Sequence, residues 1–136
     1  MLNTQTMQST LDAHTEAARR MSYQQILLRA EGAVVMLAAL ALYAESGAGW
    51  VLFIALLFTP DLAFIPYMVN KQLGITVYNA VHTYLWPVIL GVLGILVDAS
   101  LLTHIALIWA THIGLDRMLG YGLKMDTFKD THIRRV

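Results

Sequence analysis

The chain has 136 residues, of which 57% are hydrophobic and 13% charged, against roughly 45–50% and about 25% in an average soluble domain. Nine basic residues balance nine acidic ones, so charge gives no reason to expect a nucleic-acid partner. Cysteine is absent, which excludes disulfides, thiolate metal sites and cysteine nucleophiles.

Residues 1–24 are polar and lack the apolar stretch of a signal peptide, so they read as a cytoplasmic tail with an interfacial helix around Leu11 to Met21. Residues 25–120 then hold four apolar segments: Ile26–Ala44, Trp50–Val69, Thr76–Val97 and Ser100–Leu119. Each approaches the roughly 20 residues that a helix needs to cross about 30 Å of hydrocarbon. The breaks ESGAG, NKQLGI and DAS are short, which makes neighbouring helices antiparallel. The expected fold is an all-α integral-membrane four-helix bundle with short loops. Arg19 and Arg20, then Lys71, then Lys124, Lys129, Arg134 and Arg135 flank one set of ends, whereas the other loops carry Glu45 and Asp98 without Lys or Arg. The positive-inside rule therefore puts both termini in the cytoplasm. Residues 121–136 form a basic C-terminal cytoplasmic segment. Gly120 and Gly122 end the fourth helix, and FKDTH (128–132) has a second option, folding back to bring Asp130 and His132 to the polar layer.

The spans are unusually rich in polar and ionisable groups, of which an Asp, Lys or Arg costs about 2.5–3.5 kcal/mol at a span centre. Arg29 and Glu31 sit in the first, Asp61 in the second, Asn79 and His82 in the third, and His104, His112, Asp116 and Arg117 in the fourth. At about 1.5 Å per residue, all but His104 fall within roughly 12 Å of the cytoplasmic boundary. Four helices thus feed one layer. Arg29 and Glu31 point to opposite sides of their helix, so each is expected to pair across the bundle. His112 and Asp116 are four apart and share a face, as do Tyr78 and His82. Pro60, directly before Asp61, removes a backbone donor and kinks the second span beside the acid.

The stretches RAEG (29–32), PDL (60–62), YNAVHTY (78–84), HIGLDRMLGYGLK (112–124) and FKDTH (128–132) occur in this order. Together the pattern resembles the bacterial membrane-protein family catalogued as domain of unknown function 4260, from about Leu28 to the C-terminus. The resemblance implies the membrane fold and picks out the same polar residues. It implies no activity.

Asp61, His82, His112 and Asp116 supply two carboxylates and two imidazoles, a donor set suited to Zn²⁺ or another divalent metal. The leading expectation is a metal-dependent hydrolase of the bacterial inner membrane acting on a lipid or lipid-linked substrate. Asn79, Tyr78 and Lys124 would orient the substrate and Arg117 would stabilise an anion. The alternative is a non-catalytic accessory subunit of a larger membrane complex, binding a pigment or haem through His82 and His112. Cross-helix packing of the polar groups and a proton relay through Asp61, His82 and His112 are two further readings. The expected partners are the bilayer, a lipid substrate, and partner subunits or a second copy, with no nucleic acid.

Overall fold

A computed structural model describes residues 3–19, 22–125 and 130–135. Arg20, Met21, Phe128 and Lys129, used above for orientation, the interfacial helix and the C-terminal motif, lie outside the described residues. Among those described, every extended element is helical, and the one β-contact is an isolated bridge between Lys124 and Thr131. Helix α1 (Thr4–Arg19) covers the polar tail. Helix α2 (Tyr23–Glu45) starts at a capping box: the Ser22 hydroxyl accepts from the Gln25 N–H at 3.1 Å, and the Gln25 side chain accepts from the Ser22 N–H at 3.3 Å. The turn after α2 is closed by the Tyr43 hydroxyl, which donates to the Gly49 carbonyl at 2.8 Å. Tyr43 is fully buried with Phe53 and Ile108 in an apolar cluster at this end. His104 sits edge-on to the Tyr43 ring, in keeping with a packing role.

The second apolar segment is not one kinked α-helix. Helix α3 (Trp50–Leu57) gives way to a ten-residue 3-10 helix, Thr59–Met68, with Pro60 at its start and Pro66 inside it. Two prolines in seven residues remove two i→i−4 donors, so the tighter winding takes over. The third segment also differs from expectation. Helix α4 (Lys71–Val81) begins five residues early because the Asn70 side chain caps it, accepting from the Leu73 N–H at 3.1 Å. It stops at His82, and helix α5 (Leu85–Leu96) resumes after a short turn. Helix α6 (Ser100–Leu119) ends at Gly120, whose φ of +90° is the left-handed conformation that closes a helix.

Three helical stretches are long and apolar enough to cross a membrane: Tyr23–Glu45, Trp50–Met68 and Lys71–Leu96. Only 17% of the residues in each are buried by the protein itself. Val51, Met68 and Val69 are more than four-fifths exposed, an apolar surface that lipid would cover. Helix α6 is the element around which α2, α3 and α5 pack, while α4 packs against the 3-10 helix. Its approach to α2 runs through glycine: a Cβ on Gly114 would stand 2.7 Å from the Met36 nitrogen and 2.8 Å from the Gly32 carbonyl oxygen.

Arg29 and Glu31 correct the sequence reading. Neither forms an ion pair among the described residues. Glu31 is exposed, and the Arg29 guanidinium lies against Gly120 at the end of α6. Their positions on α2 were legible, but the expected ion pairs across the bundle do not form among the described residues, and Nε of Arg29 is buried without a hydrogen-bond partner. The C-terminal segment does fold back. Thr131 and Ile133 are each 1% exposed, and the Gln25 side chain donates to the Arg134 carbonyl at 3.2 Å, tying helix α7 (His132–Arg135) to α2.

Candidate metal centre

Four side chains from three segments meet at one point. Asp61 comes from the first turn of the 3-10 helix, His82 from the break between α4 and α5, and His112 and Asp116 from successive turns of α6. One donor atom from each lies within 4.8 Å of all the others. The imidazole nitrogens Nε2 of His82 and His112 are 3.2 Å apart. Asp61 Oδ1 is 3.6 Å from His82 and 3.5 Å from His112, and Asp116 Oδ2 is 3.8 Å from each. Four donors in a regular tetrahedron, each about 2.0–2.2 Å from one ion, stand about 3.3–3.6 Å apart. The five separations that involve an imidazole, 3.2–3.8 Å, bracket that range, and the two carboxylates lie within 4.8 Å of each other.

The surroundings orient these atoms. Nδ1–H of His82 donates to the Tyr78 carbonyl at 2.9 Å, which leaves Nε2 unprotonated and directed at the cluster. The Tyr78 ring stacks on the His82 ring at 3.7 Å, and its hydroxyl donates to Asp116 Oδ2 at 3.1 Å. One tyrosine therefore steadies two of the four groups. Nδ1 of His112 is buried without a hydrogen-bond partner. The two imidazoles are nearly sealed, whereas the Asp61 side chain is 38% exposed and that of Asp116 19%. A cleft of about 250 Å³, lined by Asp61, Phe64, Tyr78, Asp116, Tyr121 and Lys124, opens on this carboxylate side.

Two nitrogens in line across one iron would stand about 4 Å apart at bonds of about 2.0–2.1 Å. At 3.2 Å, His82 and His112 leave no room for a haem plane between them.

Of Asn79, Arg117 and Lys124, the structure brings only Lys124 into the cleft. Lys124 is 5% exposed, far from the headgroup-facing flank residue that its position after α6 suggests. Its ammonium lies 4.7 Å from the centre of the Tyr78 ring and 5.5 Å from that of Tyr121. Asn79 holds the backbone of Lys124 at both ends: its oxygen accepts from the Lys124 N–H at 2.6 Å, and its amide donates to the Lys124 carbonyl at 2.7 Å. Arg117 packs over the Tyr84 ring at 5.0 Å and reaches His132 at 3.4 Å. Burial pushes the Lys124 ammonium below the usual lysine range, while the Asp116 carboxylate favours its charged form. Phe64 and Tyr121 also line the cleft but carried no chemical signal in the sequence; only the three-residue spacing of Phe64 from Asp61 hinted at a shared edge.

His132 does not join the four ligands. Its Nδ1 accepts from the Leu123 N–H at 2.9 Å, which pins the C-terminal segment to the end of α6. Burial, then the Arg117 guanidinium, holds its pKa below the ordinary histidine value. Between the folded value and the unfolded value of about 6.5, the folded protein binds fewer protons. The stability that this bond supplies is therefore full above about pH 6.5 and is lost as the pH falls below it. His132→Asn retains an acceptor that does not titrate. Comparing melting temperatures in detergent at pH 7.5 and 5.5, the wild type is expected to lose more stability than the variant, and equal losses would refute this role for His132.

The family described as "Domain of unknown function (DUF4260)" matches residues 25–136, and the chain belongs to it. No curated protein and no solved structure matches the chain.

Proposed function

Proceeding from that membership and from the cluster, we propose that this protein is a metal-dependent hydrolase of the bacterial inner membrane acting on a lipid or lipid-linked substrate. The observation that carries the reading is the spacing of Asp61, His82, His112 and Asp116, which suits one divalent ion such as Zn²⁺. In this reading α6 is a fourth crossing: it is 20 residues long, and the helices packed around it shield its polar groups from lipid. Both termini lie in the cytoplasm, as the distribution of Lys and Arg favours. Seven residues at about 2.0 Å rise put Asp61 about 14 Å from the Met68 end of its helix, within reach of a substrate in the cytoplasmic leaflet.

The division of the site suits hydrolysis. The sealed imidazoles would hold the ion, and the more exposed carboxylates face the cleft that would admit water and substrate. An ion held there would supply Lewis-acid chemistry by taking water or an ester oxygen as an added, fifth ligand. A carboxylate at the mouth accepts the proton that the attacking water gives up. Lys124 supplies positive charge on the substrate side of the cleft.

The test uses protein purified in detergent from metal-free buffer and then reconstituted with zinc. Elemental analysis is expected to find close to one ion per chain. Cleavage of ester-linked lipids in mixed micelles should stop on chelation and return on adding zinc. Folded protein that takes up neither zinc nor manganese overturns the proposal.

A further inference from the structure

We propose that the substrate is a long-chain phosphate monoester that enters sideways from the bilayer, its phosphate held beside Lys124 and its chain laid in the apolar hollow over Ile65 and Met68 of the 3-10 helix. This rests on the metal-dependent reading above and names its substrate class.

Charge selects the head. Two carboxylates neutralise a divalent ion, so the ligand set contributes no net charge once loaded. Lys124 is the basic side chain among those lining the cleft, which favours an anionic substrate over a neutral carboxylic ester. Its position is fixed rather than adaptable, because Asn79 clamps its backbone and two tyrosine rings flank its ammonium. A phosphate can place one oxygen toward the ion and another toward this ammonium.

Shape selects the tail. A 3-10 helix has three residues per turn, so residues three apart stack in a straight row. Asp61, Phe64 and Tyr67 therefore form one row that leads away from the cluster and packs on α4, Phe64 stacking on Tyr78 and Tyr67 lying against Gly74. An apolar hollow of about 430 Å³, lined by Phe64, Ile65, Tyr67 and Met68, lies beside that row. Phe64 belongs to both the hollow and the cleft beside the ligands. The cleft alone is smaller than the roughly 300–1,000 Å³ usual for a whole ligand. Ile65 and Met68 are 59% and 88% exposed, which opens the hollow to the acyl chains around a membrane span.

The reaction balances with water alone. Water oxygen bonds to phosphorus as the bond from phosphorus to the alcohol oxygen breaks. One water proton would pass to Oδ2 of Asp61, the carboxylate oxygen outside the donor set, and leave on the alcohol oxygen. The products are a long-chain alcohol and inorganic phosphate, with no change in oxidation state.

The experiment measures phosphate release by zinc-reconstituted protein from dioleoyl phosphatidate in mixed micelles and from glycerol 3-phosphate, with bound zinc measured in each sample. The expected kcat/KM for phosphatidate is at least about 100-fold higher. Lys124→Met should lower kcat/KM on both substrates by about tenfold or more at unchanged zinc content, and Lys124→Arg should restore part of it. Ile65→Asn should lower the rate on phosphatidate alone. Equal rates on the two substrates overturn this inference while the metal reading stands, as does cleavage of a monoacylglycerol with none of phosphatidate, or full activity in Lys124→Met. Protein that retains no zinc overturns both.

Discussion

Replacing His82 or His112 by alanine is expected to cut bound zinc to below about a tenth of the wild-type content at the same free-metal concentration. Changes to groups outside the ligand set typically cost 10–100-fold in metal affinity, and these two nitrogens lie inside it. Both rings are buried, so no water-borne ligand reaches their positions easily. Stability provides a second readout. With zinc at about 100 times its dissociation constant, binding to the folded state alone adds about 2.7 kcal/mol. The wild-type melting temperature should therefore climb with added zinc, and those of the two variants should not. A polar layer that only packs helices together would behave otherwise: the variants would lose stability equally with and without zinc. Variants that gain as much from zinc as the wild type would remove His82 and His112 from the ligand set.

The second large effect is expected at Gly114, which touches no ligand. A side chain there meets the Met36 nitrogen and the Gly32 carbonyl oxygen, both backbone atoms that no rotamer change can move. Overpacking a buried site usually costs about 1–3 kcal/mol, and a backbone obstacle puts Gly114→Val at the upper end or beyond. Helix α6 must then draw away from α2. Gly114 lies between His112 and Asp116 on that helix, so both ligands move with it. The variant should lose thermal stability and zinc together. Gly49→Ala is the control, because a Cβ there meets nothing within 4 Å. A Gly114→Val protein with wild-type melting and zinc content would contradict the close α2–α6 contact.

The helical membrane character and the four polar residues of the site were legible because both rest on short-range regularities. Apolar runs of span length mark the helices, and the four-residue spacing of His112 and Asp116 puts them on one face. That Asp61 and His82 converge on the same point is a fact about packing between segments, which no local period encodes. The prolines at 60 and 66 announce lost hydrogen bonds but not what replaces them; the chain adopts a 3-10 helix along the whole segment. Arg29 misled because a guanidinium inside a span suggests a partner across the bundle, whereas its guanidinium lies against Gly120 at the end of α6. Lys124 was legible as a candidate, but the contacts that place it were not. Its place in the cleft comes from Asn79 and from the bridge to Thr131, a residue seven positions later with no chemical mark of its own.

The order of the four clustered residues along the chain also governs when the cluster can form. Synthesis delivers Asp61 first and His82 next, and His112 and Asp116 arrive with the last long helix. The first turn can close early, since Tyr43 and Gly49 are six residues apart. The centre cannot. Until α6 emerges and docks, Asp61 and His82 are an ionisable pair without their two partners, in segments bound for hydrocarbon. The nascent protein therefore passes through a stage in which its most costly side chains are the least satisfied, and a ribosome stalled before residue 112 leaves a chain that has entered the bilayer but cannot build the cluster.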